Sequence, residues 1–298
     1  MLQTITESQE NTTVNNYTIV EKHQLNSQAK LLKILAPEIA AKAQAGQFII
    51  LKTLSHSERI PLTIANWDKA RGTISIIFQE VGTSTSELGA LQIGDGIQNL
   101  AGPLGNPSGI KNYGKAVVVC GGIGTAASYP IAKALKEAGN KVTTIIGARK
   151  KDLLIFEAEM REVSDETYIS TDDGSKGQKG FVSDVLKGLI TKGHKFDIVY
   201  AVGPPIMMSA ITEVTRPFAI KTIVSLNPIM VDGMGMCGAC RVTVGNETKF
   251  ACCDGPEFDA HQVDFRELIQ RLKSYSAEEK FSAQFNKTQG GDCGCHKH

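Results

Sequence analysis

Four of the chain's seven cysteines lie in one short segment, VDGMGMCGACRVTVGNETKFACCDGP, where residue type and spacing point to metal chemistry. Cys237 and Cys240 form a C-x-x-C pair, and Cys252 follows after eleven intervening residues. Three thiolates leave a four-ligand site one donor short. In a plant-type [2Fe–2S] loop the missing ligand stands five positions before the first of these cysteines, and that position here is Asp232. A carboxylate can ligate iron, so Asp232, Cys237, Cys240 and Cys252 form a candidate [2Fe–2S] set. Gly233, Gly235 and Gly238 let the loop fold tightly, with backbone N–H groups facing the sulfurs. The competing reading is a structural zinc knuckle built from Cys237, Cys240, Cys252 and Cys253. On a strand, adjacent residues point to opposite faces, so only one of Cys252 and Cys253 should reach the metal, and which one stays open. Asp232-Gly233 is also a common turn pair.

A second constellation is VVVCGGIGTAASYPIAKAL, a strand, a glycine-rich turn and a helix. Gly121, Gly122 and Gly124 let the backbone approach a pyrophosphate, and the helix amino end, beginning near Thr125, favours its charge. Gly203-Pro204-Pro205 in AVGPPIMM supplies another close-approach turn. Tight strand–helix packing is the alternative for both. Cys120, inside the apolar strand, reads as a core thiol. Asp172 and Asp173 can touch a ribose or sit on a solvated turn. Arg149, Lys150 and Lys151 can hold a 2′-phosphate or open a helix, which leaves NAD against NADP undecided on these residues. In ERIPLTIAN, Arg59 shares a strand with Pro61 and Thr63, and a guanidinium can grip a diphosphate bidentately. An arginine on a barrel rim can equally be solvated.

Three patterns along the chain must position these residues. From Tyr17 to Pro107, short β-branched runs alternate with turn residues, which predicts an antiparallel β-barrel or sandwich with a short helical turn over Glu38–Ala45. From Lys115, strand-length and helix-length apolar runs alternate, which predicts an α/β domain on a parallel sheet with ligands at the carboxyl ends of its strands. Its helices are expected at Thr125–Ala138, Leu153–Val163, Phe181–Leu189 and Ile206–Val214. From Pro228 to Glu257 periodicity disappears; so few apolar residues suggest that metal, not a core, holds this part together. An amphipathic helix, FRELIQRLKSY, follows. The formal net charge of +1 gives no nucleic-acid footprint, and no apolar run is long enough to span a membrane. Cysteines in odd number and at short spacings argue against a disulfide framework. A polar start without a basic, then apolar, leader leads to the expectation of a cytoplasmic protein.

The order of barrel, glycine-turn domain and D-x4-C-x2-C-x11-C module resembles the ferredoxin–NADP reductase-like superfamily. It is closest to the branch holding dihydroorotate dehydrogenase electron-transfer subunits and the small subunits of electron-bifurcating ferredoxin:NADP oxidoreductases. The likeness spans about Tyr17 to Tyr275 and is most specific in NPIMVDGMGMCGACRVTV and FACCDGPEFDAHQVDF. It implies the Asp232, Cys237, Cys240, Cys252 ligand set. It also implies FAD on Arg59, Pro61, Leu62 and Thr63 with Gly82, Thr83 and Ser84, and NAD(H) on the Gly121–Gly124, Thr125 and Gly203–Pro205 turns. The expected division is a polar extension (1–16), FAD-binding β-barrel (17–112), NAD-binding α/β domain (113–227), [2Fe–2S] module with C-terminal helix (228–275) and flexible tail (276–298). The implied function is hydride exchange between NAD(H) and FAD and single-electron exchange with the cluster, with no general acid or base. The implied partner is a larger flavin/iron–sulfur subunit, with ferredoxin reached through it. Dihydroorotate, sulfide or hydrogenase complexes are alternative settings, and a zinc-stabilised nucleotide sensor is an alternative of another class. Neither the extension nor the tail GGDCGCHKH, with Cys293, Cys295, His296 and His298, belongs to the pattern; the tail either binds metal or is a mobile terminus.

Overall fold

The computed structural model describes residues 17–279 and 281–282. The extension 1–16 and the four tail residues Cys293, Cys295, His296 and His298 lie outside the described residues. The first six strands are β1 (Ile19–Gln24), β2 (Ala29–Leu35), β3 (Phe48–Lys52), β4 (Arg59–Asp68), β5 (Thr73–Gln79) and β6 (Asn99–Leu104). Their order is β1-β2-β5-β4-β3-β6, with every neighbour antiparallel. Backbone bonds Ile19 N–H to Asp95 O (2.9 Å) and Ile97 N–H to Tyr17 O (2.9 Å) join the two ends into a barrel. Alternate apolar positions such as Leu32, Ile34, Ile49, Leu51, Ile74 and Ile76 fill its interior, as strand periodicity requires. Helix α1 (Pro37–Lys42) opens on a proline, whose missing N–H costs nothing at a helix start. Helix α2 (Thr83–Ala90), not foreseen from sequence, caps the barrel with Leu88.

The second unit comprises β7 (Lys115–Gly121), α3 (Gly124–Glu137), β8 (Lys141–Ala148), α4 (Glu157–Glu162), β9 (Glu166–Thr171), β10 (Gln178–Lys179), α5 (Val182–Thr191), β11 (Ile198–Val202), α6 (Pro205–Thr215) and β12 (Lys221–Ser225). The strand order β10-β9-β8-β7-β11-β12 is parallel throughout. The chain winds one way from β7 and the other way from β11, so the switch point lies between these two strands. Ligand crevices form at that point, beyond the strand carboxyl ends. The helix expected over Leu153–Val163 is broken: Lys151–Leu153 is a single 3-10 turn, and α4 begins only at Glu157. Leu153 and Ile155, two apart, are buried, and Ile155 packs with Ala65 and Ile77 of the barrel; an extended segment serves that contact and a helix would rotate one of the pair away.

The expectation that residues 228–257 lack a core is overturned. The hairpin of β13 (Arg241–Val244) and β14 (Glu247–Phe250) turns through Gly245 and Asn246, both at positive φ, the geometry of a two-residue type I′ turn. Strand β15 (Glu257–Asp259) then joins the large sheet antiparallel to β12. Met230, Cys240, Val242, Val244, Ala251 and Cys252 are buried in the same apolar cluster as Val224 and Leu226 of the sheet and Phe48 and Ile50 of β3. Scattered apolar residues suffice because they complete a neighbouring core. Helix α7 (Phe265–Leu272), capped by the Asp264 carboxylate accepting from Glu267 N–H (2.9 Å), buries Phe265 and Leu268. Residues 276–279 and 281–282, expected in a flexible tail, are helical. Among the described residues no helix is long and apolar enough to cross a membrane.

One half-buried acid marks the junction of these parts. The Glu257 carboxyl on β15 accepts from the hydroxyl of Ser108, in the segment leaving the barrel. Burial pushes its pKa up to about 7 despite that bond. The folded chain therefore keeps a proton that the unfolded chain releases near its ordinary value of 4.5. The contribution of this group to stability is fully present below that value and is lost as pH rises through about 7. Glu257→Gln is expected to remove this decline, worth about 1–3 kcal/mol, measurable as melting temperature against pH from 4 to 9. Parallel curves for variant and wild type would refute the assignment.

Candidate functional site

A cleft of about 900 Å³ runs between the barrel and the α/β unit. From the barrel come Phe48, Pro61, Leu62 and Thr63, with Val81 and Thr85 beside them. From the sheet come Gly121, Gly122 and Gly124 after β7, and Gly203, Pro204 and Pro205 after β11. The two glycine turns thus flank the switch point, where strand geometry places ligands. Gly122 has φ +56° and open space where a Cβ would stand, so its backbone is uncovered toward the cleft. Gly124 differs: a Cβ there would collide with Val202 O and lie 3.0 Å from Gly203 Cα. One glycine exposes backbone and the other permits close helix–strand packing. Arg149 and Asp172 also line the cleft, whereas Lys150, Lys151 and Asp173 do not.

Other residues from the sequence reading are placed differently. Thr125 is 1% exposed and turns inward toward Cys120, because the first turn of α3 packs against β7. Arg59 is exposed at the start of β4, outside the cleft lining, but it shares the strand face of Pro61 and Thr63. Gly82, Thr83 and Ser84 form the start of α2, where Thr85 Oγ1 accepts from Gly82 N–H (3.1 Å); Val81 and Thr85, not these three, line the cleft. Cys120 is fully buried and its pKa is pushed up to about 12 by burial, so it is a core thiol. Sequence reasoning missed Ser225, Leu226 and Asn227, although their position at the carboxyl end of β12 marks them by the strand-end rule. It also missed Phe48 and Met230, apolar lining with no local signature.

The cysteine loop lies against the barrel. A Cβ on Gly233 would fall 2.7 Å from Leu104 Cδ1 and 2.8 Å from Ile50 Cγ1, so glycine lets the loop seat on β3 and β6. Asn106 Nδ2 donates to Cys253 O (3.0 Å) and reinforces that seat. Strand β3 is therefore shared, with Phe48 in the cleft and Ile50 beneath the loop. The Asp232 carboxylate accepts from Met234 N–H (2.9 Å), Met236 N–H (3.1 Å) and Cys237 N–H (2.8 Å). These backbone bonds, Met234 first, hold its pKa below the usual carboxylate range, so it is ionised as a ligand must be. Cys240 Sγ and Cys252 Sγ are 3.2 Å apart, too far for a disulfide and close enough to share a metal. Burial, then hydrogen bonding to Cys240 and Cys253, keeps the Cys252 thiol protonated far above its ordinary value. A bound cation reverses that preference.

The expectation that Cys252 and Cys253 diverge rested on a strand, and no strand is present. Strand β14 ends at Phe250, and residues 251–254 form a turn closed by Cys253 N–H to Phe250 O (2.9 Å). The two sulfurs are 3.6 Å apart. Among the described residues, no group of three or more His, Cys, Asp or Glu is arranged around a single metal ion.

Residues 118–213 match the model of the oxidoreductase NAD-binding domain, and residues 227–264 match the iron–sulfur cluster binding domain of dihydroorotate dehydrogenase B. The chain is 51% identical over 258 residues to the dihydroorotate dehydrogenase B (NAD+) electron transfer subunit homolog of Thermotoga maritima, covering 86% of this chain and 91% of that protein. It is 35% identical over 259 residues to the dihydroorotate dehydrogenase B electron transfer subunit of Geobacillus thermodenitrificans, covering 83% and 96%. Among solved structures, a chain of the NADH-dependent reduced ferredoxin-NADP oxidoreductase, a system of flavin-based electron bifurcation, superposes with a TM-score of 0.86 at 48% identity, covering 90% of this chain and 97% of that one.

Proposed function

Because this chain belongs to the family of dihydroorotate dehydrogenase B electron transfer subunits, we propose that it is the NAD(H)-side subunit of a cytoplasmic electron-bifurcating oxidoreductase. It exchanges hydride between NAD(H) and FAD and single electrons between FAD and a [2Fe–2S] cluster. FAD supplies a centre that takes up hydride yet gives electrons singly, and the cluster supplies the one-electron carrier. The observation that supports this most is the shared strand β3, which lines the dinucleotide cleft with Phe48 and underlies the ligand loop with Ile50.

The chain's own residues bind, orient and exclude water. Pro61, Leu62 and Thr63 hold the flavin ring against the barrel, and Arg59, on the same strand face, takes the diphosphate with the amino end of α2. The exposed backbone at Gly122 and the Gly203–Pro205 turn bring NAD(H) into the same cleft. Asp232 and Cys237 come from one loop, Cys240 and Cys252 from the buried base, and together they hold the cluster. No side chain is needed to move a proton. The partner is a larger flavin/iron–sulfur subunit; that the sequence relatives are named electron transfer subunits supports a partner of this kind. A partner acting on dihydroorotate is the second reading, favoured by the names of the sequence relatives. Identification of the co-purifying subunit separates them.

The protein purified anaerobically is expected to be brown-yellow and to be bleached by NADH at both flavin and cluster wavelengths. Arg59→Ala is expected to weaken FAD at least about tenfold, equivalent to 1.4 kcal/mol, with iron retained. A colourless chain that takes up zinc and no iron after anaerobic reconstitution would overturn the proposal.

A further inference from the structure

We propose that Cys253 is a reserve iron ligand, placed to substitute for Cys252 on the cluster. The inference rests on the reading of Cys252 as the resident fourth ligand. Its two sulfurs are 3.6 Å apart, less than twice a metal–thiolate bond of about 2.3 Å, so a metal bonded to one sulfur lies within reach of the other. Cys253 does not simply project into solvent. A Cβ on Gly235 would lie 2.8 Å from Cys253 Sγ, so the thiol leans into the space left by a missing side chain in the ligand loop, between Asp232 and Cys237. Its backbone is held on both sides, by N–H to Phe250 O (2.9 Å) and by its carbonyl accepting from Asn106 Nδ2 (3.0 Å). Side-chain rotation alone therefore decides where the sulfur points. Cys253 is exposed and Cys252 is 2% exposed, which accounts for the buried thiolate being resident and the exposed one in reserve.

In the exchange, the iron–sulfur bond to Cys252 breaks and one to Cys253 forms. The proton leaving the Cys253 thiol passes to the released Cys252 thiolate, and no electron is gained or lost. Such a substitution leaves the cluster with the same number of thiolate ligands whichever of the two sulfurs is bound.

The test uses the full chain purified anaerobically as Cys252→Ala, Cys253→Ala and the double variant. Iron and acid-labile sulfide, the electron paramagnetic resonance spectrum after dithionite reduction, and iodoacetamide labelling read by mass spectrometry are measured, with FAD content as the check of folding. Cys253→Ala is expected to keep full iron and an unchanged spectrum. Cys252→Ala is expected to keep at least half the iron with a shifted spectrum, and its Cys253 becomes protected from labelling. The double variant loses the cluster. An iron-free Cys252→Ala beside an intact Cys253→Ala overturns the reserve role and leaves Cys252 as ligand. An iron-free Cys253→Ala beside an unaltered Cys252→Ala overturns the reading of Cys252 itself. If Cys252→Ala fails to bind FAD, Cys252→Val, apolar like its surroundings and unable to ligate iron, decides: labelled Cys253 refutes the proposal and protected Cys253 supports it.

Discussion

Replacing Cys240 with alanine is expected to give a chain that binds FAD and is bleached by NADH at flavin wavelengths, yet carries no iron. Cys240 is 2% exposed and packs with Val242, Ala251 and Cys252 in a core continuous with the large sheet. The fold should survive, since removing one sulfur from such a site costs about 1 kcal/mol. The cluster should not, because Cys240 and Cys252 form the buried base of the site, with sulfurs 3.2 Å apart. Reduction of a one-electron acceptor should fall by more than about a hundredfold, beyond what losing an outer-shell partner causes. Asp232→Cys is the informative contrast. It keeps four anionic ligands, so iron should be retained, but a thiolate donates more strongly than a carboxylate and should lower the potential by on the order of tens of millivolts. Redox titration followed by electron paramagnetic resonance measures both. Full iron in Cys240→Ala would remove it from the ligand set, and an unchanged or raised potential in Asp232→Cys would defeat the oxygen-ligand account.

Gly124→Val is expected to raise the dissociation constant for NADH at least about tenfold, or 1.4 kcal/mol, with FAD and iron retained. A side chain at 124 meets Val202 O and C and Gly203 Cα, all backbone, so it cannot be relieved by a rotamer change. Either α3 lifts from β11 or the Gly203–Pro205 turn moves, and both carry the walls of the crevice. Overpacking of this kind costs about 1–3 kcal/mol of stability as well. Gly122→Ala separates the two glycine roles. Its Cβ meets no protein atom, so the packing stays intact while φ +56° and the uncovered backbone toward the cleft are compromised. Anaerobic NADH titration with melting temperature reads both effects. Gly124→Val with wild-type NADH affinity and melting temperature would show that the crevice does not depend on this contact.

Periodicity and punctuation by themselves determined the two sheets. Alternating β-branched runs up to Pro107 can bury one face only as strands, and the strand–helix alternation after Lys115 admits few arrangements other than a covered parallel sheet. Spacing nominated the proposed ligand loop, because a short closed loop fixes by its length which donors can meet. The glycine turns were legible for the same reason: a local conformation needs a local residue. Tertiary structure alone decided what depends on distant neighbours. Residues 228–257 look coreless because Met230, Val242 and Ala251 bury against Val224 and Leu226, and against Phe48 and Ile50, the last two 180 to 203 positions earlier in the chain. The break before α4 came from the barrel packing on Ile155. Likewise, Cys252 and Cys253 share a direction because β14 stops at Phe250, and a strand end is set by the partner that ceases to pair with it. Local bonding is written in adjacent residues, whereas burial is a property of whichever surfaces the folded chain presses together.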